Sequence, residues 1–288
     1  MEYLLHIAII ILINIILSVS FNILMGYAGI FALCHAIFYG IGAYASTLLM
    51  IHWGFSFIPA LLCAMVITAL FSLIIAVPGL RIHWDYMVIF AFSFQMILYH
   101  VMLNWMDLTR GPQGIPGIPA PIIFGFTVES KTSILLLYLV ISSAVVYLAK
   151  KIESSPFGLV LKGIKNDELA VKSIGKNVTR HKIIAFAFAA ALASVSGTLI
   201  SVYVSYISPA YFDLNMSVFI LICLVFGGIG KIQGVILGTI GLTALPELLR
   251  FIPSLPSTML GGIRDLIYAV VLLFFMLYRP QGIVPETK

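Results

Sequence analysis

The sequence predicts an all-α polytopic integral membrane protein. It reads as one transmembrane domain over residues 1–288, a bundle of about eight to ten helices with a cytoplasmic two-helix segment at about 150–182. Three observations carry this reading. Hydrophobic residues make up 61% of the chain and charged residues 9%, with a mean hydropathy of +1.12. No charged side chain occurs in residues 3–80, a run far longer than a soluble core absorbs. One polar island, 150–182, holds eight basic residues against Glu153, Asp167 and Glu168, so its net +5 equals the charge of the whole chain.

A spanning helix needs about 20 apolar residues. Runs of that kind lie near 4–25, 36–52, 56–78, 86–105, 132–149, 183–204, 214–229, 232–249 and 262–279. The N-terminal Met-Glu-Tyr-Leu-Leu-His lacks the positive region and cleavage site of a secretory signal, so the first run reads as a retained span. Residues 26–42 are rich in Gly and semi-polar, which fits either a plain loop or a re-entrant entry into the membrane. Basic loops favour the cytoplasm. Placing 150–182 there puts 104–131 and 204–214 outside and the 279–288 tail inside. The N-terminus falls outside unless 26–42 changes the parity.

Several runs carry a packing face. Asn14, Ser18, Asn22 and Gly26 recur at i+4 in the first, a polar ridge that faces either neighbouring helices or a watery pathway. Ala185, Ala189, Ala193, Gly197, Ser201 and Ser205 form a small-residue ridge in the sixth, expected at the centre of the bundle. Gly234, Gly238 and Gly241 suggest the same for the eighth, with Pro246 permitting a bend.

Within the island, Ser155-Pro156 reads as a helix cap followed by proline at the first helical position. Asn166, ahead of Asp167 and Glu168, reads as the cap of a second short helix that Gly175 ends. Val160, Ile164, Val171 and Ile174 recur at helical spacing. Two readings fit: docking into a protein groove, or a basic loop that sets topology and touches anionic headgroups.

The absences narrow function. Asp85, Asp107, Asp213, Glu247 and Asp265 all fall in loops or at span ends, so the carboxylate relay of a proton-driven carrier is missing. Gly230-Lys231 resembles a phosphate loop, but Val225 stands in place of the first Gly and Ile232 in place of the Ser or Thr. Catalytic motifs and metal-ligand spacings are absent, and Cys34, Cys63 and Cys223 sit singly in apolar runs. The expectation is no enzyme activity and no metal. A transporter without its own energy source then calls for an ATP-binding partner at 155–175, and the basic balance calls for no nucleic acid.

The ordered motifs resemble a known family. They include Asn22-Ile-Leu-Met-Gly-Tyr-Ala-Gly29, His35-Ala-Ile-Phe-Tyr-Gly-Ile-Gly-Ala-Tyr44 and Thr109-Arg-Gly-Pro-Gln-Gly-Ile-Pro-Gly117. Ser155-Pro-Phe-Gly158, Ile164-Lys-Asn-Asp-Glu-Leu-Ala170, Phe226-Gly-Gly-Ile-Gly230 and Tyr278-Arg-Pro-Gln-Gly282 continue the series. Together they resemble the permease subunits of branched-chain amino acid ABC importers, in their LivM-like branch. Trp84, Ile30 and Ala32 depart from the family's usual Gly, Gln and Ser, which makes this stretch more apolar.

The resemblance implies a second homologous permease, two cytoplasmic ATP-binding subunits that hold ATP and Mg²⁺, and an extracytoplasmic solute-binding protein. The chain itself would need no cofactor and would lie in the cytoplasmic membrane of a bacterium or archaeon. The island becomes an ATPase-coupling segment, with Pro156, Gly158, Gly163, Asn166, Glu168, Ala170 and Gly175 on its motif. Asn22, Tyr27, His35 and Tyr44 are the expected substrate-pathway residues, and Gly111, Pro112 and Gly114 the expected docking loop for the binding protein. The expected cargo is leucine, isoleucine or valine. Alternatives are urea, an amide or another amino acid, an autonomous sodium-coupled carrier or channel, and a scaffold that transports nothing.

Overall fold

The computed structural model describes residues 2–82, 84–123, 126–128, 130–249, 260–278 and 282–283. His83 and most of the 279–288 tail lie outside them, as do the side chains of Asp85, Glu247 and Asp265. The architecture is an all-α membrane bundle. Its elements run α1 (Glu2–Asn22), a π-helical turn (Ile23–Tyr27), α2 (His35–Trp53), α3 (Phe57–Gly79), α4 (Trp84–Asn104) and the short α5 (Met106–Thr109). Then come β1 (Ile115–Pro116), β2 (Ile122–Ile123), β3 (Phe126–Thr127), α6 (Lys131–Ser154), α7 (Pro156–Asn166), α8 (Glu168–Ser173) and α9 (Val178–Val204). The chain continues through β4 (Tyr206–Ile207), α10 (Leu214–Gly227), α11 (Ile232–Leu249) and α12 (Leu260–Tyr278). The nine predicted apolar runs coincide with α1–α4, α6 and α9–α12. Among the described residues seven helices are long and apolar enough to cross a membrane, and Ile232–Pro246 forms a shorter apolar helix.

The first surprise lies between α1 and α2. The open question at 26–42 resolves as a π turn, a short connection, and a helix that starts inside the bundle. The backbone N–H groups of Ala36 and Ile37, in the first turn of α2, donate to Ser217 Oγ of α10 (3.1 Å) and Gln95 Oε1 of α4 (3.2 Å). Gln95 Nε2 in turn donates to the Phe212 carbonyl at 3.0 Å. His35 is buried with Nε2 2.7 Å from Ser20 Oγ. The Ser20 hydroxyl donates to the Leu17 carbonyl, so the histidine N–H is the donor to the serine oxygen. The connection therefore doubles back alongside α1 to the level of Ser20. Side chains supply the acceptors that water supplies at an exposed helix start.

Around this point α9 is the central helix. Ala185, Ala189, Ala193, Gly197 and Ser201 are all buried. A Cβ on Gly197 would run into the Tyr39 carbonyl and the Ala43 amide of α2, and one on Gly42 would strike Ser194. The two backbones cross in van der Waals contact because neither carries a side chain there. The ridge ends one step earlier than predicted: Ser205 caps α9 with φ 54° and is exposed. Tyr138 of α6 donates to the Leu199 carbonyl at 2.6 Å and ties α6 to the same helix. Gly227 of α10 packs on Gly234 and Gly238 of α11, whereas Gly241 is exposed with only the Phe226 ring near it. The polar ridge of α1 faces these helices: Asn14 Nδ2 donates to Thr243 Oγ1 (3.3 Å), and Asn22 Oδ1 accepts from Gly230 N (2.9 Å).

The end of the bundle opposite the basic island carries the remaining loops. The ion pair Lys131–Glu2 (2.8 Å) joins the starts of α6 and α1 there. β1 pairs antiparallel with β4, with Ile115 opposite Ile207, and β2 pairs with β3.

Two outcomes follow for the purified chain. Gly197→Leu is expected to lower stability by about 1–3 kcal/mol or more through overpacking. Gly241→Leu, at an exposed site, is expected to stay within about 0.5 kcal/mol; thermal unfolding monitored by size exclusion compares them. Gln95→Leu leaves the Phe212 carbonyl without its donor and the Ile37 N–H with only its 3.2 Å bond to the Cys34 carbonyl. The same assay should register a loss of about 1–3 kcal/mol per stranded group.

Candidate functional site

The island folds as two short helices laid across one end of the bundle. Ser155 caps α7: its Oγ accepts from Gly158 N at 3.1 Å, and Pro156 takes the first helical position. Gly158 is required by contact, because a Cβ would press on the Ile152 and Glu153 carbonyls at the end of α6. The second cap differs from expectation. Asn166 is the last residue of α7, and Asp167 caps α8 by accepting from Leu169 N (2.9 Å) and Ala170 N (3.0 Å). An ionised carboxylate takes two N–H donors at once, and the extended φ of −153° at Asp167 makes the break between the helices. Gly175, at φ +78°, follows the end of α8.

Side-chain contacts fix the pair against each other and against α9. Gly163 of α7 leaves room for Val171 of α8, whose Cγ2 would lie 3.1 Å from a Cβ there. Glu168 pairs with Lys172 (2.9 Å) and with Lys182 of α9 (2.6 Å). The hydrogen bonds from Lys172 and then Lys182 hold its carboxyl below the usual carboxylate range. Any stability from these pairs is thus present at neutral pH and lost only as pH falls through that lowered value.

The apolar positions split into two faces. Leu161, Ile164 and Val171 are buried toward the bundle. Leu159, Leu169 and Ile174 are 63%, 76% and 71% exposed and lie outside every spanning helix, at the end where Pro156, Asn166, Ala170 and Gly175 are also exposed. Val160 is half-buried and Ile174 exposed, so the predicted single stripe is not one surface.

The buried face of α7 meets the start of the membrane interior. Gly29, at φ +68°, sits against the Lys165 backbone and stem, where a Cβ would come within 3.1–3.3 Å. Lys162 Nζ lies 5.4 Å from the centroid of the Tyr27 ring. The segment touched by α7 is therefore the π turn and connection that lead into α2.

The four expected pathway residues are not gathered into one chamber. Asn22 holds the turn between α10 and α11, Tyr27 lies beneath α7, and His35 stands at the buried start of α2 between Phe21 and Phe38. Tyr44 is farther along α2, where it lines an apolar groove of about 460 Å³ with Trp53 and Trp105. The expected docking loop lies at the other end of the bundle. Gly111 and Pro112 begin a 3-10 turn to Gln113, and Thr109 Oγ1 accepts from Gly111 N at 3.2 Å. Gly114 has φ +67° and abuts Ile207, and Tyr206 donates to the Gln113 carbonyl at 3.0 Å. The loop is pinned to the segment that precedes α10.

One cavity was missed by sequence reasoning. It measures about 690 Å³ and opens beside that pinned segment, between α1, α10, α11 and α12. Asn14, Asp213, Asn215 and Thr243 supply its polar lining. The ridge at Asn14 and the carboxylate at the start of the seventh run were the available signals, but their convergence depends on four helices, with Asn14 and Thr243 alone 229 positions apart.

Residues 3–278 match the family model described as the permease component of branched-chain amino acid transport systems. The chain is 32% identical to the high-affinity branched-chain amino acid transport system permease protein LivM of Salmonella typhimurium, over 96% of this chain and 69% of that protein. The LivM protein of Escherichia coli aligns with the same identity and coverage. A probable branched-chain amino acid transport permease protein LivM of Methanocaldococcus jannaschii is 23% identical over 94% of this chain and 90% of its own length. No solved structure matches the chain. With the match spanning nearly all of a multi-pass helical chain, this protein belongs to the branched-chain amino acid transport system permease family.

Proposed function

We propose that this chain is a permease subunit of an ABC importer that carries leucine, isoleucine or valine across the cytoplasmic membrane of a bacterium or archaeon. The cargo reading rests on the names of its relatives, two of them at 32% identity. In this reading the chain is one transmembrane domain without catalytic activity or a cofactor of its own. Two cytoplasmic subunits bind ATP and Mg²⁺, a second homologous permease completes the pathway, and an extracytoplasmic binding protein delivers the solute onto the 111–114 loop.

The observation that carries the reading is the two-faced α7–α8 unit. Its outer face offers Leu159, Leu169 and Ile174 to a partner groove, and apolar residues exposed in this way mark an interaction site. Its inner face bears on Tyr27 and Gly29. Displacement of α7 by a nucleotide-driven partner then acts on the connection into α2, whose start is bonded to α4 and α10. Packed helices transmit such shifts because their contacts are bistable rather than elastic.

Purified chain reconstituted alone is expected to take up no solute; uptake without an ATPase subunit would sink this proposal. Leu169→Asp removes an exposed apolar contact while touching nothing inside, so ATPase co-purification should fall at least tenfold with insertion unchanged. Glu168→Lys, which sets three lysines together, and Gly163→Arg, which separates α7 from α8, should abolish uptake. Gly29→Val strains a positive φ and displaces Lys165. The assembled transporter carrying it should keep hydrolysing ATP and lose at least tenfold in uptake per ATP.

A further inference from the structure

We propose that the 690 Å³ cavity between α1, α10, α11 and α12 is a binding site for the free zwitterionic amino acid within this subunit, with Asp213 receiving the ammonium group. The inference rests on the proposed function and adds to it a site and an orientation for the cargo. Volume comes first: ligand pockets run from about 300 to 1,000 Å³ and are mostly apolar with a few polar groups, and this cavity fits both conditions. Its position is the second argument. Ala210 and Tyr211 of its lining belong to the segment pinned to the 111–114 loop, whereas Asn14 lies midway along α1. The cavity thus leads from the end that faces arriving solute toward the middle of the bundle.

Its chemistry is the third. Among the described residues lining the cavity Asp213 is the one that carries a charge, and no described Lys or Arg stands there to neutralise it. Its carboxylate is already oriented: Oδ1 accepts from Met216 N at 3.1 Å and Oδ2 accepts from Asn215 Nδ2 at 2.7 Å. Each oxygen retains a lone pair for a further donor. An ammonium ion supplies three donors and the matching charge, and the resulting bonds are of the stronger, charge-assisted kind. The Asn14 and Asn215 amides and the Thr243 hydroxyl offer polar contacts to the solute carboxylate. Val218, Phe219 and Ile222 on successive turns of α10 form an apolar wall suited to a branched aliphatic side chain.

The test uses the complete purified transporter without its binding protein, with radiolabelled leucine binding read by scintillation proximity. The parent is expected to bind leucine saturably. The hydroxy-acid analogue of leucine, which lacks the ammonium, should compete at least tenfold less well. Asp213→Asn preserves the helix cap, since Asn caps as well as Asp, yet should weaken leucine at least tenfold and bring the analogue and leucine to within threefold of each other. That loss of discrimination is not produced by misfolding. Val218→Phe should weaken leucine more than alanine, and Asp107→Asn, a carboxylate outside the cavity, should leave binding within twofold. Absence of saturable leucine binding to the parent, or an unchanged preference for leucine in Asp213→Asn, overturns the site. ATP-driven uptake by the same parent preparation with its binding protein added back judges the permease reading separately: uptake with no such binding rejects the cavity alone, and absence of uptake rejects the proposal beneath it.

Discussion

A helix that begins inside a bundle surrounded by hydrocarbon must have its first backbone N–H groups met by protein, because no water is there to meet them. α2 begins in that situation, and Ser217 and Gln95 answer for Ala36 and Ile37. The consequence spreads outward. Gln95 also holds the Phe212 carbonyl, so the start of α2, the middle of α4 and the segment ahead of α10 are tied by one side chain. Gly40 lets the Phe212 ring lie against α2, and Phe212 packs edge-on to Tyr39 and Tyr44. Moving the start of α2 therefore disturbs the segment that feeds α10 and the cavity beside it.

Glycine and small residues provide the second constraint. Helix association in lipid gains little from hydrophobicity and depends on close approach. The crossing of α2 and α9 at Gly42 and Gly197, and that of α10 and α11 at Gly227, Gly234 and Gly238, set the spacing of the bundle. The turn joining α10 to α11 is then fastened to α1 through Asn22, and Gly282 with Ile283 closes over the end of α10, where Ile283 N donates to the Phe226 carbonyl at 3.0 Å. One end of the bundle is thus built from packed turns and the other from loops that meet in short strand pairs.

The basic face is held more loosely in energetic terms and more tightly in geometric ones. Exposed ion pairs contribute at most about 1 kcal/mol each, and Glu168 with Lys172 and Lys182 is partly of that kind. What these pairs secure is the angle of α8, which keeps Leu169 and Ile174 outward while Val171 seats on Gly163. A surface that transmits motion requires a fixed outline more than a large free energy.

Among the described residues hydropathy located the nine long helices, since a run of about 20 apolar residues leaves few alternatives in a bilayer. Local chemistry located the cap at Ser155 and the stop at Gly175. It misassigned one position, because Asn166 and Asp167 are both good caps and only the backbone chose the carboxylate. Small-residue spacing named α9 as central, and that follows from a ridge readable at i+4. At 26–42 composition allowed a plain loop or a re-entry and could not choose, and two features were outside its reach: the two-faced contact of α7 with Gly29 and the cavity at Asp213. Each joins residues far apart in sequence whose types are unremarkable singly. A period of 3.6 reports which residues share a face of one helix. Which other helix that face meets, and at what depth, is decided by packing between elements, and only the tertiary structure carries it.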